Sequence, residues 1–264
     1  METKNDIEQR IKDLETALRE MKGGLSAPEN PGSPGGRMLE RSPQFFYASG
    51  GLNGCREILE QMDSQGYVPL GIADIMKARA EAVDSKDESL KSSWLSRHLI
   101  SADAFAYGKD SVKFLPNFLY LNRAHMGRPV FRGMIKLSNE DYNRLHGAEF
   151  SRDILAGLCS FSSIRGVRNN LNEGKNLARP EAEANPILRA VSADPDVLRS
   201  YLDMAYKEVL EKHGKDRALP VSMKSFWEGR AFLVPASLTS LEHCLGVSSY
   251  LAGCGITMPG VRRR

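Results

Sequence analysis

The sequence predicts an α+β protein in three parts: a short N-terminal coiled-coil helix over residues 1–22, a flexible linker over 23–44, and a mixed α+β globular domain over 45–264 with a small antiparallel sheet and several helices. Three observations carry this. Apolar residues recur at heptad spacing near the N-terminus; twelve of the twenty-one residues from Gly23 to Pro43 are Gly, Pro or Ser; and beyond Phe45 the hydrophobic period changes from helical to alternating and back.

Ile7, Ile11, Leu14, Leu18 and Met21 follow one another at intervals of four, three, four and three, which sets them on one helical stripe as alternating a and d positions. With Ile11 at a, Arg10 falls at g and Glu15 at the following e, an attractive pair across a parallel dimer. Gly23 and Gly24 end the helix. A helix this short needs a partner, because nucleation is costly, so the seam predicts a homo-oligomer. The linker cannot bury enough apolar surface to offset its own ordering entropy.

In the globular part, Phe45 to Tyr47 reads as a strand, and the turn around Gly50, Gly51 and Gly54 leads into a helix with Cys55, Ile58, Leu59 and Met62 on one face. Gly66 closes it. Ile72, Ile75, Met76, Arg79 and Val83 mark a second helix, and Leu90, Trp94, Leu95 and Leu99 a third. Ala104 to Tyr107 and Ser111 to Leu115 form a hairpin about Gly108-Lys109-Asp110, with further strands at Phe118 to Leu121 and Val130 to Leu137. Ser138 and Asp141 spell a capped start for a helix over Asn139 to His146. Asp194-Pro195 opens the longest helix, with Val197, Leu198, Tyr201, Leu202, Ala205 and Val209 inward and Lys212-His213-Gly214 at its end.

A formal charge of +3 excludes a surface that is basic throughout, so any polyanion contact must be local. No run reaches the ~18 apolar residues of a membrane span, and a charged amphipathic start differs from a secretory signal; the expectation is a cytoplasmic protein with no membrane partner. Cys55, Cys159, Cys244 and Cys254 lie far apart with no Cys-x-x-Cys pair, and none of the five histidines pairs at i, i+4. Buried free thiols are expected, with no metal and no cofactor. Cys55 and Arg56 occupy the positions where a P-loop carries lysine and a hydroxyl, so the Gly-rich turn reads as a plain βα connection.

Local charge offers one binding candidate. Between Lys91 and Lys136 eight basic residues face two acids, interleaved with seven of the chain's twenty aromatic residues. Lys109, Lys113, Arg123, Arg128 and Lys136 on one exposed face would engage phosphates while the aromatic rings stack bases, giving a nucleic-acid partner. The competing reading is a half-buried sheet with rings inward and lysines solvated.

Val130-Phe131-Arg132-Gly133, followed by Ser160-Phe161-Ser162-Ser163, resembles the arginine and serine strands of mono-ADP-ribosyltransferases. The resemblance implies that Arg132 holds a nicotinamide dinucleotide and Ser162 orients the site. It further implies a Glu-x-Glu pair on a third strand edge; Glu181-Ala182-Glu183 supplies those letters, about eighteen residues beyond the serines and between Pro180 and Pro186, in a setting that reads as a loop. Arg132, Ser162 and Glu183 are thus the catalytic candidates. The leading expectation is a non-catalytic intracellular assembly or binding protein, oligomeric through its N-terminal helix and with an unidentified protein partner. A nucleic-acid binder and an ADP-ribosyltransferase-like enzyme are the alternatives.

Overall fold

The computed structural model describes residues 37–49, 52–121, 130–131, 134–162, 177–214, 220–224, 230–243, 245–248 and 256–263. The expected seam of Ile7, Ile11, Leu14, Leu18 and Met21 lies outside them. Residues from Arg37 to Arg264 form one compact unit. It opens ahead of Phe45 because Met38 is buried and the Met38 and Leu39 N–H groups donate to the two carboxylate oxygens of Glu81, each at 2.8 Å. A side chain forty residues away thus anchors what composition assigns to the linker.

The unit begins with strand β1 (Gln44–Ala48), helix α1 (Leu52–Ser64), strand β2 (Tyr67–Pro69) and helices α2 (Ile72–Asp84) and α3 (Glu88–Leu95). Cys55, Ile58, Leu59 and Met62 are buried along α1, as their spacing requires, and Gly66 at φ +73° makes the turn into β2. Asp87 caps α3 by accepting from the N–H groups of Ser89 and Leu90. Leu99, expected on α3, instead begins β3 (Leu99–Tyr107), which pairs antiparallel with β4 (Ser111–Leu115) as the hairpin pattern predicts.

Phe118–Leu121 is a helix, α4, and not the expected strand. Asn117 stands at φ +53° with its N–H held by the Asp103 carboxylate at 2.7 Å, which turns the chain off the strand direction and buries Phe118 and Leu119. Strands β5 (Val130–Phe131) and β6 (Met134–Leu137) follow, then α5 (Asn139–Arg144), where Ser138 Oγ accepts from the Asp141 N–H at 2.9 Å. The next elements are β7 (Ala148–Ser151), α6 (Arg152–Leu158), β8 (Ser160–Ser162), α7 (Arg179–Ala184), α8 (Pro186–Ser192) and α9 (Pro195–His213). Asp194 caps α9, and Gly214 ends it at φ +62°. Strands β9 (Val221–Lys224), β10 (Ala231–Leu238), β11 (Val247–Ser248) and β12 (Ile256–Arg262) complete the described elements.

The protein is α+β, but its sheet is neither small nor purely antiparallel. Among the described residues twelve strands join one mixed sheet, its backbone running β1-β12-β3-β10-β11-β9-β8. The pairs β12 with β3, β11 with β9 and β8 with β9 are parallel. The last strand, β12, lies between the first, β1, and β3, an arrangement no local pattern announces.

Every residue of β3 and β10 is buried, because helices cover both faces of the sheet centre. Phe105, Tyr107, Phe232 and Val234 pack on one side with α2, α8 and α9; Ala104, Ala106 and Leu233 pack on the other with α1, α4 and α5. Tyr107 stacks on Phe232 with ring centroids 4.5 Å apart. Among the described residues no helix is long and apolar enough to cross a membrane.

Candidate functional site

Two buried polar side chains fix the frame on which any site is built. Arg79 is fully buried on α2. Its Nε donates to the Trp94 carbonyl at 3.1 Å, Nη1 to the Thr239 carbonyl at 2.7 Å and the Tyr201 hydroxyl at 3.2 Å, and Nη2 to the Arg97 carbonyl at 2.8 Å. Tyr201 passes the chain on, donating to the Leu245 carbonyl at 2.9 Å; burial raises its pKa, opposed by Arg79. One guanidinium thereby ties α2 to the end of α3, to α9 and to the exit of β10. Its sequence signal is an arginine on an otherwise apolar helical stripe.

Asp103, within β3, does the same for the helix starts. Its Oδ2 accepts from the Ile72 N–H at 2.6 Å and its Oδ1 from the Asn117 N–H at 2.7 Å. It supplies the cap that Gly71, at the N-cap of α2, has no side chain to provide. A β-carbon on Gly71 would stand 3.2 Å from Asp103 Oδ1, so the glycine also makes room. Burial pushes the Asp103 carboxyl up to about 6, outweighing the hydrogen bonds that oppose it. Its sequence signal is an acid in the middle of a strand of small and apolar residues.

The sheet leaves one notch. One edge of β10 pairs with β3; the other takes β6 at Ala231–Leu233 and β11 at Leu238 and Ser237. Between them, among the described residues, Val234, Pro235 and Ala236 have no strand partner on that edge, and Pro235 has no N–H to offer one. The registers direct several strand ends here. The hairpin of β5 and β6 meets the notch at Phe131 and Met134, and the parallel strands β11, β9 and β8 run toward it from the other side, ending at Ser248, Lys224 and Ser162. The residues that follow those ends lie outside the described ones.

Of the catalytic candidates, Ser162 and Glu183 fall on different elements, a strand and a helix. Ser162 is the last residue of β8; Arg132 falls between β5 and β6, outside the described residues. Glu183 stands on helix α7, where the resemblance calls for a strand edge. Its carbonyl accepts from Arg189 Nε at 2.8 Å, and it lines a cleft of about 430 Å³ with Arg189, Ser192, Leu198 and Arg199.

The basic aromatic segment is also rearranged. Lys113 is buried: its Nζ donates to the Tyr142 and Leu145 carbonyls at 3.2 and 3.0 Å and sits 4.6 Å from the centre of the Tyr142 ring. It is a structural tie between β4 and α5, and Glu149 stands opposite it on β7. Lys109 at the β3–β4 turn and Lys136 on β6 are exposed; Arg123 and Arg128 lie outside the described residues. Trp94, Phe105, Tyr107, Phe114 and Phe118 are all buried, so these rings form core and offer no stacking platform. The Cys55 and Cys159 thiols are free and buried, each pushed up to about 12 by burial, which leaves little thiolate for nucleophilic chemistry.

No family model matches the chain, and no curated protein matches it. Its fold is similar to that of a solved structure described as "Accommodation of massive sequence variation in Nanoarchaeota by the C-type lectin fold", with a TM-score of 0.55 and 14% identity, over 83% of this chain and 97% of that one. At that identity the likeness is one of fold.

Proposed function

We propose that the protein is a non-catalytic, intracellular assembly or binding protein: a rigid scaffold similar to the C-type lectin fold that presents the strand ends around the β10 notch to a macromolecular partner, multiplied through the N-terminal Ile and Leu seam. The supporting observation is that β6 and β11, which pair with β10, end at that notch, with β5 beside β6 and with β9 and β8 ending alongside β11, while the sheet centre behind it is buried on both faces and held by Arg79 and Asp103. Segments mounted on a scaffold of this kind vary at little cost to the core, which is why recognition concentrates on them. The similar solved structure, in which the C-type lectin fold accommodates massive sequence variation, is in keeping with that division of labour. Buried free thiols at Cys55 and Cys159 suit a reducing compartment.

The test is a display library of the full chain diversified at residues 163–176 and 225–229. Most members should unfold within about 5 °C of the parent, and the library should yield specific binders to unrelated target proteins. Collapse of the fold across the library would overturn the reading.

A further inference from the structure

The open edge of β1 has a hydrogen-bonding parity that follows from β12. The Leu70 N–H donates to the Pro259 carbonyl at 2.9 Å and the Arg263 N–H to the Gly66 carbonyl at 2.8 Å, so Pro259 and Arg263 turn their backbone groups toward β2. Residues alternate along a strand, so Ile256, Met258 and Gly260 turn theirs toward β1, where the register sets them against Ala48, Phe46 and Gln44. Phe45 and Tyr47 therefore direct both N–H and C=O away from the sheet. Among the described residues β1 pairs with β12 alone.

Among the described residues this edge carries little of the usual protection beyond Pro43 at its start. Gln-Phe-Phe-Tyr-Ala has no charge and no proline, and the register with β12 runs without a bulge. The shelf beside it is built for contact. The Arg97 guanidinium lies 5.1 Å from the centres of both the Phe45 and Tyr47 rings and donates to the Tyr47 hydroxyl, while Tyr47 remains 54% exposed.

We propose that β1 is an edge-to-edge pairing site for a second copy of this chain, joining two sheets antiparallel about a two-fold axis at Phe46. The parity makes the edge self-complementary. With Phe46 opposite Phe46 of the second copy, each Phe45 meets the other Tyr47, and both members of each pair present outward N–H and C=O groups. Four N–H···O bonds result, and each Tyr47 ring comes beside the other copy's Phe45, over Arg97. A five-residue strand buries little and would not hold alone. The second copy is the indicated occupant because the thirty-six residues preceding the compact unit carry the predicted seam, and only the seven residues from Arg37 to Pro43 stand between them and β1. Association through such a seam raises the local concentration of the other β1 to about the millimolar range. The choice of occupant rests on the self-association part of the proposed function; the geometry of the edge does not.

The experiment is amide hydrogen exchange on the full chain, with mass by light scattering on the same samples. The Phe45 and Tyr47 amides should exchange at least tenfold more slowly in the associated protein than in the Tyr47→Pro variant (read at Phe45) diluted to monomer. That variant removes the outward N–H and the half-exposed Tyr47 ring but no backbone bond to β12, so its fold, checked by circular dichroism, should persist, while dissociation strengthens at least tenfold. Tyr47→Phe keeps the N–H and should retain the protection. An associated protein whose Phe45 and Tyr47 amides exchange at free rates overturns the edge pairing and leaves the seam standing. A monomer at all concentrations overturns both. Association lost in a Leu14→Asp, Leu18→Asp variant but rapid exchange at β1 in the parent assigns self-association to the seam alone.

Discussion

Asp103 makes stability depend on pH in an unusual sense. Its carboxyl is buried between the Ile72 and Asn117 N–H groups, and its native pKa of about 6 stands above the ordinary 3.8. The raised value means the folded protein holds this proton more tightly than the unfolded chain. The stability it contributes is full below the unfolded value and is lost as pH rises through about 6. Two pH units at about 1.4 kcal/mol each make the change roughly 3 kcal/mol. Neighbouring Asp74, raised by burial ahead of the opposing Lys77 and Arg41, acts in the same direction. Asp103→Asn removes the titration and leaves one of the two N–H donors facing an amide NH₂, a cost of about 1–3 kcal/mol. Urea unfolding of parent and variant at intervals from pH 4 to pH 7 should show the parent's advantage shrinking by about 2–3 kcal/mol. A difference between the two proteins that stays flat across that range would refute the argument, since it would mean that Asp103 is ionised in the folded state throughout.

Arg79→Met should cost about 3–5 kcal/mol in urea unfolding, because it leaves the Trp94, Thr239 and Arg97 carbonyls buried without their donor. Lys113→Glu should cost more than about 2 kcal/mol, since it sets a buried carboxylate against two carbonyls and opposite Glu149, while Lys109→Glu at the exposed turn should stay within about 0.5 kcal/mol; equal, small losses for both would return Lys113 to the surface. Limited proteolysis should cut first between Gly23 and Gly36 and leave a core starting near Met38. Glu81→Ala, which frees the Met38 and Leu39 N–H groups, should move that start toward Pro43, as seen by intact mass of the products.

The chain's own order decided its longer helices. The periodicities of α1, α2 and α9, the capping pattern at Ser138 and Asp141, and the Asp194-Pro195 start are local, and the 3.6-residue geometry turns them into buried faces without reference to the rest of the molecule. The hairpin of β3 and β4 is equally local, closed by a short turn. Side-chain fate on those strands is another matter. Lys113 alternates with apolar residues and looks solvated, yet α5 and β7 close over it and offer two carbonyls; Phe118 to Leu121 has strand composition, yet a bond from Asp103, fifteen residues earlier, turns it into helix. The place of β12 between β1 and β3, the parity that turns Phe45 and Tyr47 outward, and the notch of β10 depend on pairings across most of the chain's length. Helical pattern is written in residues three and four apart, so sequence alone determines it; strand partnership and the burial of a lysine depend on which distant segment arrives alongside, and only the tertiary structure decides that.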